Sequence, residues 1–550
     1  FPIAVVVSWF FEFTPDGIKR TAPSTEAARF QPQTADFALA AALALVLAAV
    51  GVQLTTPQTP ATPVAAAPKT EPEAPAASIA VLPFADLSPA KDQEYFSDGM
   101  AEEVLNVLAR TDGLRVASRT SSFQYRKSTL ALPAIAKALG VRHILEGSVR
   151  KAGDTVRITA QLIDATTDAH LWSQTFDRPL STATVFAIQD EIATAVVGHF
   201  KSAVASNSTA APRIARAADT SSVSAYDLYL KGAALFTARG KANLAEAAHV
   251  LERATVLDPK FARAWAMLAT VYVILPDWGV TDREYIDLGL EATTTALALD
   301  PNLSMPYAAR ALMATKRVPL GTKDTWEDAL SNFDAAIERD PKNATAWLWR
   351  GVALFQLGYF DRALQDMARC NEIDPAYENC RRWTAIVRLS QGRTDEALQI
   401  FEAGLANGFF NRNPTFAAAY AKRGNRQAAL ALLAQTYADT PRLIDPLYRT
   451  LTNPSFRGAE LKAARDLIES DLKAANYQAD ARLLLRDYAH IPIAGWGNGD
   501  SIWWDSNDAE FVKSPERKAI IRSWRLPGYW RKHGFPPQCK PVGADDFECN

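Results

Sequence analysis

The pattern of hydrophobic positions divides this chain of 550 residues into three kinds of region. Two uncharged and mainly apolar stretches lie near the amino end, the first from residue 1 to 11 and the second from residue 37 to 54. Short alternating runs follow between residues 78 and 205, and helical periodicity dominates from residue 225. The pattern therefore predicts membrane-spanning, mixed α/β and all-helical regions, in that order.

The second apolar stretch, "FALAAALALVLAAVGVQL" at residues 37–54, carries no charge. At about 1.5 Å per residue it spans roughly 27 Å, close to the thickness of a bilayer's hydrocarbon core, and it predicts a transmembrane helix. A buried helix and a cleavable signal peptide are the alternatives. Because another apolar run precedes it, we expect a membrane hairpin in which residues 1–13 are the end of a truncated transmembrane helix.

Basic residues predict the orientation of this hairpin. The loop at residues 14–36 carries three of them, and residues 55–77 carry only Lys69. The positive-inside rule places the first loop in the cytoplasm and everything after residue 54 in the periplasm of a bacterial cell, with the chain held in its inner membrane. Residues 55–77 are rich in Pro, Ala and Thr, a composition typical of a semi-rigid linker.

Residues 78–205 predict an α/β domain with a mixed sheet. The runs that favour strands are "SIAVLPF", "LRVASR", "VRHILEGSVRK", "TVRITAQLID" and "AHLWSQTFDR", and the amphipathic runs include "DQEYFSDGMAEEVLNVLAR" and "LALPAIAKALG". The residues Ala152, Gly153 and Asp154 favour a hairpin turn between two of the strands.

The segments "SIAVLPFADLS", "EYFSDGMAEEVLNVLAR", "LRVASRTSSFQYR" and "VRHILEGSVRKAGDTVRITAQLIDATTDAHLWSQTFDR" resemble the periplasmic domain related to the amino-terminal domain of TolB. In many bacterial membrane proteins such a domain is joined to tetratricopeptide repeats, to adenylate/guanylate cyclase catalytic domains or to CadC-like winged-helix regulators. The resemblance implies a role in interaction or assembly and brings no catalytic residues with it.

The same region offers little for catalysis. His143 and His170 fall in predicted strands, and Asp98 and Glu102 share a helix face, but no nucleophile, metal-ligand spacing or phosphate loop accompanies them. We therefore expect no enzyme, no catalytic residue, no cofactor and no metal. A net charge of -2 gives no general attraction to nucleic acid, which we do not expect as a partner.

After a polar linker at residues 206–224, the dipeptide Asp-Pro recurs at residues 258, 300, 340 and 374. The last interval of 34 residues is the period of tetratricopeptide repeats. Trp347, Gly351 and Ala363 fit the large, close-approach and small positions of such a repeat, and Trp383 continues the pattern less well. We expect five to six repeats within residues 225–440.

Stacked repeats form a concave face that binds proteins or peptides. The candidate groove residues are Arg263, Thr270, Thr345 and Arg382. Ordinary solvated surface is the alternative for each of them.

The four cysteines form two pairs in sequence. Cys370 and Cys380 lie at equal distances from Pro375 on two predicted antiparallel helices, which suits a disulfide. Cys539 and Cys549 would close a short loop, and buried free thiols are the alternative for both pairs. Residues 441–550 also carry Trp496, Trp503 and Trp504, which favour closure of the open end of the solenoid over a ligand platform.

The sequence thus predicts a multidomain fold, with N-terminal transmembrane helices, an α/β mixed-sheet domain and an all-α tetratricopeptide solenoid that ends in a helical cap with a cysteine-containing tail. The predicted function is a membrane-anchored periplasmic interaction scaffold or sensor. The alternative is the regulatory part of a cyclase or of a transmembrane transcription regulator whose cytoplasmic domain is absent from this chain.

Overall fold

The computed structural model describes residues 11–14, 17–20, 74–200, 220–406, 414–471, 478–491, 502–504 and 508–549. The chain forms two compact units, Phe1–Pro72 and Glu73–Asn550. The predicted transmembrane helix at 37–54 lies outside the described residues, as do most of the two linkers. In the described part of the chain, no helix combines the length and the apolar character that a membrane span requires.

The described part of the first unit is a β-hairpin. Strand β1 (Phe11–Thr14) pairs antiparallel with β2 (Gly17–Arg20). The apolar pattern predicts the end of a membrane helix at residues 1–13, and for residues 11–13 this prediction is wrong, because they belong to β1. The segment "FEFT" alternates aromatic with polar residues, and the "PDG" that follows it favours a turn, so a hairpin is the better local solution.

The second unit begins with the α/β domain. Its strands and helices are β3 (Ser78–Val81), β4 (Ala85–Asp86), α1 (Glu94–Ala109), β5 (Arg115–Val116), α2 (Arg119–Phe123), α3 (Leu132–Leu139), β6 (His143–Ala152), β7 (Thr155–Asp164), β8 (Ala169–Pro179) and α4 (Thr182–His199). The sheet order is β5-β3-β6-β7-β8, with β4 beside β6. Strand β3 is parallel to β5 and β6, whereas β6, β7 and β8 form an antiparallel meander. The predicted mixed sheet is therefore confirmed.

Successive side chains of each strand point to opposite faces of the sheet, and each face packs against different helices. Ile79 and Val81 of β3, with Ile158 of β7, face the apolar core shared with α1 and α4. Ala80 and Ile144 point the other way and pack under α3. The predicted hairpin turn between β6 and β7 is present, and Gly153 in it has a φ of 57°, a left-handed conformation that favours glycine.

The helical array consists of six antiparallel pairs in the described part of the chain. They are α5 (Val223–Ala238) with α6 (Lys241–Leu257), α7 (Ala262–Ile274) with α8 (Tyr285–Leu299), α9 (Ser304–Arg317) with α10 (Trp326–Arg339), α11 (Ala344–Gln356) with α12 (Phe360–Ile373), α13 (Glu378–Ser390) with α14 (Thr394–Ala406), and α15 (Pro414–Lys422) with α16 (Arg426–Thr436). The pair α11 and α12 approaches closely at the predicted point, since a Cβ added at Gly351 would lie 3.2 Å from the carbonyl oxygen of Ala363.

The Asp-Pro turns repeat in atomic detail. In each turn the Asp carboxylate accepts the backbone N–H two residues later, as Asp340 does from Lys342 at 3.0 Å. Six residues after each proline, a side chain donates to the proline carbonyl. These donors are Trp265, Tyr307, Trp347 and Arg381, at 3.0, 3.4, 3.0 and 2.7 Å. Arg381 thus holds the position that the sequence analysis assigned to Trp383.

The segment after the array folds back onto it. Its elements are α17 (Ile444–Thr452), α18 (Gly458–Asp471), α19 (Gln478–Leu484), α20 (Ala509–Val512), α21 (Pro515–Ser523), α22 (Leu526–His533) and the hairpin of β9 (Cys539–Val542) with β10 (Asp546–Cys549). The indole N–H groups of Trp503 and Trp504 donate to the carbonyl of Gln356, and that of Trp530 donates to Leu357.

Trp503 and Trp504 were expected to close the open end of the solenoid. They do not do so. They cover the turn between α11 and α12 in the middle of the array, where the last carbonyls of α11 need donors. Gly358, with a φ of 86°, leaves space there, since a Cβ added to it would lie 2.8 Å from Trp504. Trp496 lies outside the described residues.

Candidate functional site

The α/β domain and the first helix pair share one apolar core. Met100 and Val104 of α1 belong to the same buried cluster as Tyr226 and Leu230 of α5. The helices approach closely at Gly99, where an added Cβ would come within 2.6 Å of a Leu230 methyl group. The first repeat is consequently built into the α/β domain and is not joined to it only by a linker.

Polar contacts surround this shared core. Glu103 and Arg263 form an ion pair, with side chains that are 5% and 11% exposed. Asp227 of α5 accepts hydrogen bonds from Tyr95 at 2.8 Å and from Lys151 at 2.7 Å. Farther along the array, Ser118 donates to Asp374 at 2.7 Å and Lys342 donates to the carbonyl of Ala109. The α/β domain therefore contacts both the first repeat and two later Asp-Pro turns.

Two of the four predicted groove residues make contacts within the protein that use their polar groups. Arg263 forms the ion pair with Glu103 between the α/β domain and the first repeats. Thr270 is buried and donates to the carbonyl of Ala266 in its own helix at 2.8 Å. Thr345 and Arg382 are half-buried on α11 and α13. The guanidinium of Arg382 lies 5.6 Å from the ring centroid of Trp383.

Three other side chains interact between the first and fifth helix pairs. The guanidinium of Arg239, which follows α5, lies 3.8 Å from the ring centroid of Phe236 and interacts electrostatically with the Tyr377 hydroxyl just before α13. We call Phe236, Arg239 and Tyr377 the Arg239 cluster.

The electrostatics of the Arg239 cluster are unusual. Burial lowers the pKa of the Arg239 guanidinium from its ordinary value, and no carboxylate of the described residues is paired with it. Its backbone has a φ of 56° and a ψ of -177°, a region adopted almost only by glycine. The chain thus holds a half-buried cation in a strained backbone conformation, and no carboxylate of the described residues is paired with it.

Sequence reasoning missed this cluster. Arg239 and Tyr377 lie far apart along the chain and in different repeats, so helical periodicity does not connect them. The "RG" doublet at residues 239 and 240 ends a helix and reads as an ordinary turn.

Both cysteine pairs are joined by disulfides in the structure. Cys370 and Cys380 connect α12 to α13 with their Cα atoms 5.9 Å apart, and Cys539 and Cys549 connect β9 to β10 with a Cα separation of 4.1 Å. The first bridge encloses the turn that carries Asp374 and Tyr377, so it holds one contact to the α/β domain and one member of the Arg239 cluster.

Three of the four residues weighed for catalysis have structural partners. Asp98 and Glu102 form ion pairs with Arg126 and Arg119. His143 is buried, and its Nδ1 lies 3.1 Å from the carbonyl oxygen of Ser78. His170 is exposed on β8. Within the described ranges, no three His, Cys, Asp or Glu side chains are grouped as a metal site would require.

Family models match two parts of the chain. One described as "Tetratricopeptide repeat" matches residues 324–378, and one described as "HilA/YgeH-like transcriptional regulator, second domain" matches residues 75–195. The helical array is therefore a tetratricopeptide array. It follows an α/β domain similar to the second domain of those regulators.

Curated relatives match over limited segments. A stretch of 194 residues is 36% identical to "Putative adenylate cyclase 3" of Rhizobium meliloti (strain 1021), covering 35% of this chain and 32% of that protein. A stretch of 80 residues is 30% identical to "Hsp70-Hsp90 organizing protein 1" of Glycine max, and it covers 14% of this chain and 14% of that protein. The chain thus spans a third or less of the length of these relatives.

Solved tetratricopeptide structures also align with the chain. A protein of Thermus thermophilus is 20% identical, with 41% of this chain and 98% of that one covered and a TM-score of 0.27. A protein of Parabacteroides merdae is 19% identical, with 48% and 98% covered and a TM-score of 0.33. These values concern the fold alone and add no argument about function.

Substitution of Glu103 tests whether its ion pair with Arg263 stabilises the contact between the α/β domain and the array. Replacing Glu103 with Gln leaves Arg263 desolvated without its carboxylate, and we expect a loss of about 3 kcal/mol in the free energy of unfolding. Denaturant unfolding followed by circular dichroism measures it. Glu191→Gln, which removes an ion pair whose side chains are 38% and 42% exposed, is the matched control and should cost under about 1 kcal/mol. Equal losses for the two variants would contradict a supporting role for the buried pair.

Proposed function

We propose that this chain is a protein-interaction scaffold whose tetratricopeptide array binds an extended segment of a partner protein through an acidic group. The observation that carries the proposal is the Arg239 cluster. Partial burial of a guanidinium that no described carboxylate neutralises costs free energy, and an anion supplied by a partner would offset that cost.

The surroundings of Arg239 suit a carboxylate. The guanidinium presents several donors in one plane, which match the two oxygens of a carboxylate, and the Tyr377 hydroxyl adds a further polar group. The Phe236 ring, whose centroid lies 3.8 Å from the guanidinium, supplies apolar surface against which a neighbouring side chain of the partner would pack. Thr345 and Arg382 are half-buried on the first helices of their pairs, and we propose that they belong to the same binding face.

The variant Arg239→Gly tests this function. It removes the guanidinium and places at residue 239 the amino acid that suits its backbone, so we expect stability to be kept while binding is lost. The probe is a fluorescent set of extended peptides in which every acidic member has a counterpart with Asn or Gln in place of Asp or Glu. We expect the wild-type chain to bind acidic members about tenfold more tightly, because hydrogen bonds to charged groups are the stronger ones.

Arg253→Gln is the matched control, since it removes an exposed arginine from the neighbouring helix α6. This control should keep the preference for acidic peptides, and Arg239→Gly should abolish it. A wild-type chain without the preference, or an Arg239→Gly variant that keeps it, would contradict the proposal.

We further propose that the chain is anchored in a bacterial inner membrane by the apolar segment at residues 37–54 and that the second unit lies in the periplasm. The basic loop at residues 14–36 supports this orientation, and so do the two disulfides, which persist mainly outside the cytosol.

Fusion proteins test this orientation. An alkaline phosphatase joined after Asn550 should be active, because it needs an oxidising compartment, and a green fluorescent protein joined at the same place should be dark. An inactive phosphatase together with a bright fluorescent fusion would reverse the assignment.

A second candidate function is the sensory part of a signalling enzyme or transcription regulator. The observations that favour it are the match of residues 75–195 to the second domain of HilA/YgeH-like transcriptional regulators and the likeness to a protein named as a putative adenylate cyclase. In this proposal the array binds its partner on one side of the membrane and a domain encoded ahead of Phe1 responds on the other. The genomic sequence upstream of Phe1 tests it, because a cyclase or winged-helix domain there would support this candidate and its absence would contradict it.

A further inference from the structure

The two edges of the mixed sheet are very different. At one edge, β5 is only two residues long, so it offers few backbone hydrogen-bonding groups to another strand. At the other edge, β8 is eleven residues long and pairs with β7 alone in the described part of the chain. Native proteins usually protect an exposed edge strand with brevity, charge or proline.

The centre of β8 has none of these protections. Residues 170–176, "HLWSQTF", contain no acidic, lysine, arginine or proline residue, and Ser173, Gln174 and Thr175 are all exposed. The strand is also held in place by its antiparallel pairing with β7 and by packing of its side chains on the core. Arg178 donates to both carboxylate oxygens of Glu191 on α4 at 2.7 and 3.0 Å, and Phe176 is buried in the core. A rigid and unprotected edge binds another strand at low entropic cost.

We propose that β8 pairs antiparallel with β8 of a second copy of this chain across a two-fold axis at Gln174. In this register Trp172 lies opposite Phe176 of the second copy, and the same aromatic pair occurs again by symmetry. Ser173 lies opposite Thr175 in the same way. No like charges oppose each other near the axis, because Asp177 and Arg178 lie three and four residues from it.

The sequence of β8 favours a second copy over a foreign strand. The strand is complementary to itself, since the two-fold axis brings aromatic residues together on the core face and hydroxyl residues together on the outer face. Two-fold pairing also joins the two sheets into one continuous sheet and leaves neither β8 edge open. This inference is independent of the proposed binding at the Arg239 cluster.

Charge substitutions on the axis test the pairing in the full chain. Gln174→Lys and Gln174→Glu each place like charges directly opposite each other, and sedimentation equilibrium should show dimerisation weakened about tenfold or more in each. An equimolar mixture of the two variants should regain the wild-type mass, because Lys then faces Glu. Ser331→Lys, on the exposed face of α10, is the matched control and should associate like the wild type.

A disulfide trap tests the register. All four native cysteines are paired, so a cysteine introduced at residue 174 is the free thiol of the chain. Across the axis the two Cα atoms of residue 174 would lie about 5 Å apart, whereas those of residue 170 would lie about 26 Å apart. Mild oxidation should therefore link Gln174→Cys chains into dimers and leave His170→Cys chains unlinked on non-reducing gels.

Three results would overturn the proposal. They are a wild-type mass equal to one chain, a mixture of Gln174→Lys and Gln174→Glu that stays as weakly associated as either variant alone, and equal linking of Gln174→Cys and His170→Cys. A foreign strand as the true occupant of β8 would give the first of these results.

Discussion

The packing of α1 against α5 fixes the array to the α/β domain. Gly99 allows Leu230 to approach, and the Gln189 side chain donates to the Tyr226 hydroxyl at 3.1 Å and contacts the Met100 sulfur inside the same core. Since each repeat stacks mainly on its neighbours, the orientation of the first pair sets the orientation of those that follow. This orientation brings the turn before the fifth pair, which contains Asp374, within hydrogen-bonding distance of Ser118 in the α/β domain.

The Asp-Pro turns carry this orientation along the array. Each turn satisfies its own backbone through an Asp side chain and a donor six residues beyond the proline, so the angle between successive pairs is set locally and repeatedly. The disulfide between Cys370 and Cys380 strengthens the last of these turns. Its neighbour Tyr377 thereby has a fixed position from which to meet Arg239, and the proposed binding face depends on that position.

Local signals predicted the local structure well. The 34-residue interval, the alternating strands and the equal spacing of the cysteines around Pro375 each concern residues that are close in sequence, and the structure contains the repeats, the mixed sheet and the disulfide that they indicate. Contacts between distant segments could not be predicted in this way. Arg263 was a reasonable groove candidate until its partner Glu103, from another domain, was known.

The tryptophans of the tail illustrate the same limit. Their aromatic bulk indicated burial, but not that the tail turns back to the carbonyls of Gln356 and Leu357. Arg239 is a sharper case, because its chemistry depends on the absence of a nearby carboxylate among the described residues, and a single sequence does not reveal which charges stay unpaired after folding.

Native-state hydrogen exchange of the full chain tests most directly whether the α/β domain and the first repeat are one cooperative body, because elements with a common core open together. The amides of α1 and α5 should exchange with the same free energy of opening and respond equally to low concentrations of denaturant. If α5 exchanges with the later repeats while α1 stays protected, the two are separate bodies and the shared core does not join them.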